Sequence, residues 1–150
     1  MTLGRPGECR LHHVGYLTVD LQRAVQQFSS RFGYEVESEP IQDPVQTAIV
    51  QFVRLPGADH WLEFISPHGD NSKLARAAKD GVNLHHLCYE VDNIELMCSR
   101  LQEQGMFQLS KPVEAVAFSP RRIAWFMDRE RFLVEIVEAG TGPLSCAKLI

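Results

Sequence analysis

The hexapeptide Leu11-His12-His13-Val14-Gly15-Tyr16 returns as Leu84-His85-His86-Leu87-Cys88-Tyr89, and each copy runs on into Val-Asp, at Val19-Asp20 and Val91-Asp92. A chain with two self-similar halves is expected to build one supersecondary unit twice and to bury the apolar faces of the copies in a common plan. The likeness extends beyond the hexapeptides. Leu21, Ala24, Val25, Phe28 and Phe32 recur at three- and four-residue spacing, as do Ile94, Met97, Cys98 and Leu101, the apolar stripe of an amphipathic helix. Asp20 and Asp92 are placed as N-caps, and Gly33 and Gly105 as left-handed stops. The segments Thr47 to Leu55, Trp61 to Ile65, Ile123 to Met127 and Phe132 to Val137 are rich in β-branched and aromatic residues and bounded by turn residues, so they read as strands. The fold class is therefore α+β, with two βαβββ modules in tandem. Residues 1–68 form the first and 84–140 the second. Between them, 69–83 is a crossover linker with a short helical pattern around Leu74, Ala75 and Ala78, and 141–150 is a tail.

A chain of 150 residues, 45% hydrophobic, has enough apolar side chains for such a core. The formal net charge of -4 offers no basic footprint for a phosphate backbone, which argues against nucleic acid as partner. No apolar run reaches bilayer length, and Met1 to Arg10 lacks the hydrophobic centre of a signal peptide, so a cytoplasmic location is expected. Cys9, Cys88, Cys98 and Cys146 show no CxxC spacing and read as free thiols, Cys88 as a core filler.

Each half closes on a carboxylate among apolar neighbours, Leu62-Glu63-Phe64-Ile65 and Val134-Glu135-Ile136-Val137. Glu63 follows His13 by 50 positions and Glu135 follows His86 by 49, a difference assigned to one extra residue between Tyr16 and Asp20 relative to Tyr89 and Asp92. A lone strand histidine is more often a packed core residue than a ligand. Two His–Glu pairs at matching positions shift that balance, because a buried carboxylate is costly unless a cation or hydrogen bonds compensate it. Equivalent positions of two modules converge on a pseudo-twofold axis, where His13, Glu63, His86 and Glu135 would bind one divalent ion. Two imidazoles and two carboxylates suit Ni, Co, Mn, Zn or Fe(II), and octahedral binding leaves two positions for water or substrate. His12 and His85 point to the opposite face by strand alternation, His60 and His68 read as surface residues near turns, and Tyr16 and Tyr89 as core.

These residues resemble the vicinal oxygen chelate superfamily, which includes glyoxalase I, methylmalonyl-CoA epimerase, bleomycin and fosfomycin resistance proteins and extradiol dioxygenases. The resemblance runs from Leu11 to Glu138. It implies an open, curled mixed sheet around a cleft, with metal ligands at His13, Glu63, His86 and Glu135. Leu84-His85-His86-Leu87, Tyr89-Glu90-Val91-Asp92-Asn93-Ile94 and Arg122-Ile123-Ala124-Trp125-Phe126 are most similar to the epimerase branch. Where bacterial epimerases carry a carboxylate base, on the strand after the first-half turn, this chain has Thr47, expected as a substrate-binding position. The turn Asp128-Arg129-Glu130-Arg131 lacks the glycine usual there.

The reaction class implied is proton abstraction next to a carbonyl, in an epimerase or a lactoylglutathione-lyase-like enzyme, with Glu135 or Glu63 as base by resemblance to glyoxalase I. The substrate would be a small molecule, an acyl-CoA or glutathione thioester. Arg121 and Arg122 suit a carboxylate or phosphate. A solvated turn is favoured for Arg121, and the resemblance favours a substrate-binding role for Arg122. A non-catalytic antibiotic- or metabolite-binding protein and a non-haem iron dioxygenase are the alternatives. A homodimer is expected.

Overall fold

The structure, a computed structural model, describes residues 9–146. The readings placed on the first eight residues and on Leu149-Ile150 lie outside the described residues. The chain divides into two compact units, residues 13–85 and residues 9–12 together with 86–146.

Residues 13–85 hold most of β1 (Cys9–Leu17), then α1 (Leu21–Phe32), β2 (Glu35–Val36), β3 (Ile41–Asp43), β4 (Ala48–Arg54), β5 (Trp61–Pro67) and α2 (Ala75–Lys79). Strands β2 and β3 both pair antiparallel with β4, β4 pairs antiparallel with β5, and β5 runs parallel to β1. The other unit repeats this plan with β6 (Leu84–Val91), α3 (Ile94–Glu103), β7 (Phe107–Gln108), β8 (Val113–Glu114), β9 (Arg122–Met127) and β10 (Leu133–Glu138). Strands β7 and β8 pair antiparallel with β9, β9 antiparallel with β10, and β10 parallel with β6. The second strand of each βαβββ copy is thus in two pieces. A proline directly precedes the second piece in both, Pro40 before β3 and Pro112 before β8, and proline cannot donate to a ladder.

Helix α1 is capped by Asp20, which has an extended backbone and whose side chain accepts the Arg23 N–H at 3.0 Å, and it stops at Gly33 with φ of 83°. The second helix corrects one expectation. Its cap is Asn93, which receives the Leu96 N–H at 2.9 Å, and Asp92 lies one residue outside. Asn93 directly precedes Ile94 as Asp20 precedes Leu21, so Tyr16 to Asp20 and Tyr89 to Asn93 have equal lengths. The single-residue difference between the copies lies further on, in the turn after β9, which is one residue shorter than the turn after β4.

Strand alternation gives the strands of each unit two faces. On one, α1 lays Leu21, Ala24, Val25 and Phe28 on Val14, Tyr16, Val53, Leu62 and Phe64. Phe28 makes edge contacts with Phe64 and Tyr16 at centroid distances of 5.0 and 5.3 Å. In the other unit, Ile94, Met97, Cys98 and Leu101 cover Tyr89, Val91, Ala124, Phe126, Val134 and Ile136. The opposite faces carry His13 and Glu63 in one unit and His86 and Glu135 in the other. No helix among the described residues is long and apolar enough to cross a membrane.

Candidate metal centre

On β5, Glu63 pairs with Gly15 of β1 on one side and Phe52 of β4 on the other. His13 lies two residues before Gly15 and so shares the face of Glu63. Its Nε2 is 3.6 Å from Glu63 Oε1. The second unit repeats this register. Glu135 pairs with Cys88 of β6 and Trp125 of β9, His86 lies two residues before Cys88, and His86 Nε2 is 3.7 Å from Glu135 Oε1. All four side chains are buried: His13 is 0% exposed, His86 2%, Glu135 4% and Glu63 7%.

Both His–Glu separations exceed a hydrogen bond and come close to the spacing of two ligands on one ion. Bonds of 2.0–2.2 Å set two neighbouring donor atoms about 3.0 Å apart at an octahedral angle and about 3.4 Å apart at a tetrahedral one. Burial lowers the His13 pKa from 6.5 to about 3, so its imidazole is neutral at physiological pH, the form that ligates a metal. Each unit therefore offers one imidazole and one carboxylate whose chemistry and spacing fit a divalent transition ion.

Two residues of this environment were not singled out in the sequence. Phe52 turns its ring edge to His13, with centroids 5.4 Å apart and planes at 86°. Trp125 does the same to His86 at 4.8 Å and 75°. Each is the antiparallel partner of its unit's glutamate. The usable signal was the repeat itself: Leu21 to Phe52 and Ile94 to Trp125 span equal lengths of chain.

The other candidates lie elsewhere. Thr47 sits in the β3–β4 turn with φ of 53°, donating its hydroxyl to Gln46 O and accepting the Lys73 N–H at 2.9 Å, so that hydroxyl serves the turn. Arg122 projects to the helix-covered side of β9, where Glu138 takes its Nε and Nη2 at 3.1 and 2.8 Å and Glu95 also binds Nη2 at 2.7 Å. These bonds hold the Arg122 guanidinium firmly protonated and the Glu138 carboxyl below its usual range. Arg121, expected in a solvated turn, is instead 3% exposed, with Nη1 3.5 Å from Glu90 Oε2. The two arginines thus exchange their expected environments, because one step along a strand reverses the face. His12 is fully buried and Cys88 likewise, while His85 and His60 are half-buried.

A family model, the Glyoxalase/Bleomycin resistance protein/Dioxygenase superfamily, matches residues 12–125. The chain is 34% identical over 98 residues to the ethylmalonyl-CoA/methylmalonyl-CoA epimerase of Cereibacter sphaeroides, a match covering 64% of this chain and 71% of that protein. It is also 34% identical over 104 residues to the mitochondrial methylmalonyl-CoA epimerase of Bos taurus, covering 68% of this chain but only 58% of the bovine one. The crystal structure of methylmalonyl-CoA epimerase from Mycobacterium tuberculosis has the same fold, with a TM-score of 0.77 at 22% identity over 87% of this chain and 88% of that one. With the family model spanning most of the chain, and the same His–Glu register in both units, this protein belongs to the Glyoxalase/Bleomycin resistance protein/Dioxygenase superfamily.

Proposed function

We propose that this chain is a divalent-metal-dependent epimerase acting at the carbon next to a thioester carbonyl, with an acyl-CoA of the methylmalonyl type as substrate. The observation that carries the proposal is the recurrence of one His–Glu arrangement at the same register in both units. Its weight comes from a chain 34% identical to an ethylmalonyl-CoA/methylmalonyl-CoA epimerase.

In this reading His13, Glu63, His86 and Glu135 hold one ion between them. When bound, the ion supplies positive charge that stabilises the negative charge building on the carbonyl oxygen as the α-proton leaves. Neutral His13 donates its ring lone pair without first having to lose a proton. Phe52 and Trp125 hold the two imidazoles edge-on and keep water from one flank of each, and a drier surround strengthens every charge interaction in the site. Epimerisation removes a proton from one face of the α-carbon and returns one to the other. Glu63 or Glu135 supplies the carboxylate oxygen that accepts the α-proton, and the proton that returns to the opposite face comes from solvent through that exchanging carboxyl.

The test is exchange of the α-proton of methylmalonyl-CoA with deuterated solvent, followed by NMR on metal-loaded protein. Exchange is expected, together with its loss on Glu63→Gln or Glu135→Gln. A protein that exchanges no acyl-CoA proton yet retains a ligand tightly when metal-free would be a sequestering relative, and the proposal would fall.

A further inference from the structure

The second unit contains buried ionisable side chains that proton abstraction does not use. His12 is 0% exposed, Glu90 1% and Arg121 3%. All three hold the main chain of residues 140–146. His12 Nε2 donates to Leu144 O at 2.6 Å, a bond that places the proton on Nε2 because a carbonyl only accepts. Arg121 Nη2 donates to Pro143 O. Glu90 Oε2 accepts the Cys146 N–H at 3.4 Å, while Glu90 Oε1 is anchored by Arg10 at 2.7 Å. Gly140 passes so close over Arg121 that a Cβ there would stand 3.4 Å from the Arg121 Cγ and Cδ. What this cradle recognises is amide chemistry: two carbonyls and one N–H.

Glu90 and Arg121 of the cradle share the face of His86. Glu90 is two residues beyond Cys88 and four beyond His86 on β6, and Arg121 precedes Ile123 and Trp125 by even steps. Four residues of strand separate the cradle from His86 by roughly 13 Å. Two features show that residues 140–146 do not complete it. Leu144 is held at φ of 57°, a conformation costing a branched residue about 1 kcal/mol. Arg121 Nε is buried without a hydrogen-bond partner among the described residues, and Nη1 has the 3.5 Å ion pair with Glu90 in place of a hydrogen bond.

We propose that His12, Glu90 and Arg121 form a docking site for the amide-bearing arm of the thioester substrate, and that residues 140–146 fill it as a displaceable strap. The proposal rests on the epimerase reading above. A coenzyme A thioester carries two amides along its pantetheine arm, a short extended chain away from the carbonyl. Those amides present carbonyls to His12 and Arg121 and an N–H to Glu90, replacing the strap group for group, without the left-handed backbone at Leu144 and with the carbonyl at Arg121 shared between Nη2 and Nε.

The first experiment needs neither metal nor turnover. Hydrogen exchange of the amides of 140–146 is measured with and without pantetheine. Loss of protection at Cys146 and its neighbours on adding pantetheine is expected, and unchanged protection overturns the proposal. The second compares an acyl-pantetheine thioester with an amide-free S-ethyl thioester in metal-loaded protein. Stopping the chain after Ala139 is expected to lower KM for the pantetheine thioester about tenfold, the equivalent of about 1.4 kcal/mol, and to leave the S-ethyl thioester unchanged. Should that chain not fold, Leu144→Gly serves instead. Relieving the left-handed strain tightens the strap and raises the pantetheine KM about fivefold. Equal effects on both thioesters, or none, overturn the cradle. Absence of exchange with every thioester would refute the epimerase reading while the pantetheine experiment still decides this one.

Discussion

Arg121 and Arg122 are neighbours in the chain and end on opposite faces of the sheet, Arg121 buried beside Glu90 and Arg122 gripped by Glu138 and Glu95. The two therefore respond differently to the same change. Arg121→Met removes one partner of a buried ion pair and empties the contact to Pro143 O, an expected loss of about 3 kcal/mol in urea denaturation. Arg122→Met acts at a partly exposed pair and is expected to be much milder. Equal losses would show that the face assignment is wrong.

Phe52 is fully buried, paired with Glu63 across the sheet and edge-on to the His13 ring. Phe52→Ala is expected to destabilise the fold by about 3–5 kcal/mol. Under the metal proposal it also weakens metal binding at least tenfold, as loss of a side chain that orients a ligand does. Phe64→Ala opens a comparable cavity on the helix-covered face, so it should cost similar stability while leaving the metal affinity of the folded protein unchanged. Competition with a chelator measures the difference.

The duplication, helices α1 and α3, the cap at Asp20, the stop at Gly33 and the two His–Glu pairs were legible in the sequence. They are local patterns, or repeats of local patterns. Phe52 and Trp125 were not, since their place beside the histidines depends on how β4 registers on β5 and β9 on β10, which no local pattern states. The exchanged environments of Arg121 and Arg122 have the same origin, a one-residue uncertainty in where β9 begins. Asp92 suggests itself as the cap because it copies Val19-Asp20, but the apolar stripe starts at Ile94, and a cap must stand directly before the stripe. Thr47 is marked by similarity alone, and its left-handed backbone in a turn leaves no trace in residue type.

Burial keeps His13 neutral down to about pH 3 in the metal-free protein, whereas the unfolded chain titrates at its ordinary 6.5. Between those values the unfolded state holds a proton that the folded state does not. Stability from this group is therefore complete above pH 6.5 and falls as the pH drops toward 3, by up to about 1.4 kcal/mol per pH unit. Urea titrations across this range should show the slope, and His13→Phe should flatten it. NMR of the His13 ring should show no titration between neutral pH and about 4. A midpoint near 6.5 in the folded protein would contradict the account.

The Glu138 carboxyl is held below its usual pKa, first by its hydrogen bonds with Arg122. Its contribution is present above the unfolded carboxylate pKa and disappears as the pH falls through the lower folded value. Glu138→Gln should lower the Tm at neutral pH, with the deficit closing in acid.

The central claim is that two repeated half-sites make one centre, and metal stoichiometry tests it most directly. Purified protein loaded with Co(II) or Ni(II) and freed of excess should retain one ion per chain, and His13→Ala in one unit or His86→Ala in the other should each abolish retention. Two ions per chain, or an ion that survives either substitution at full affinity, would contradict it.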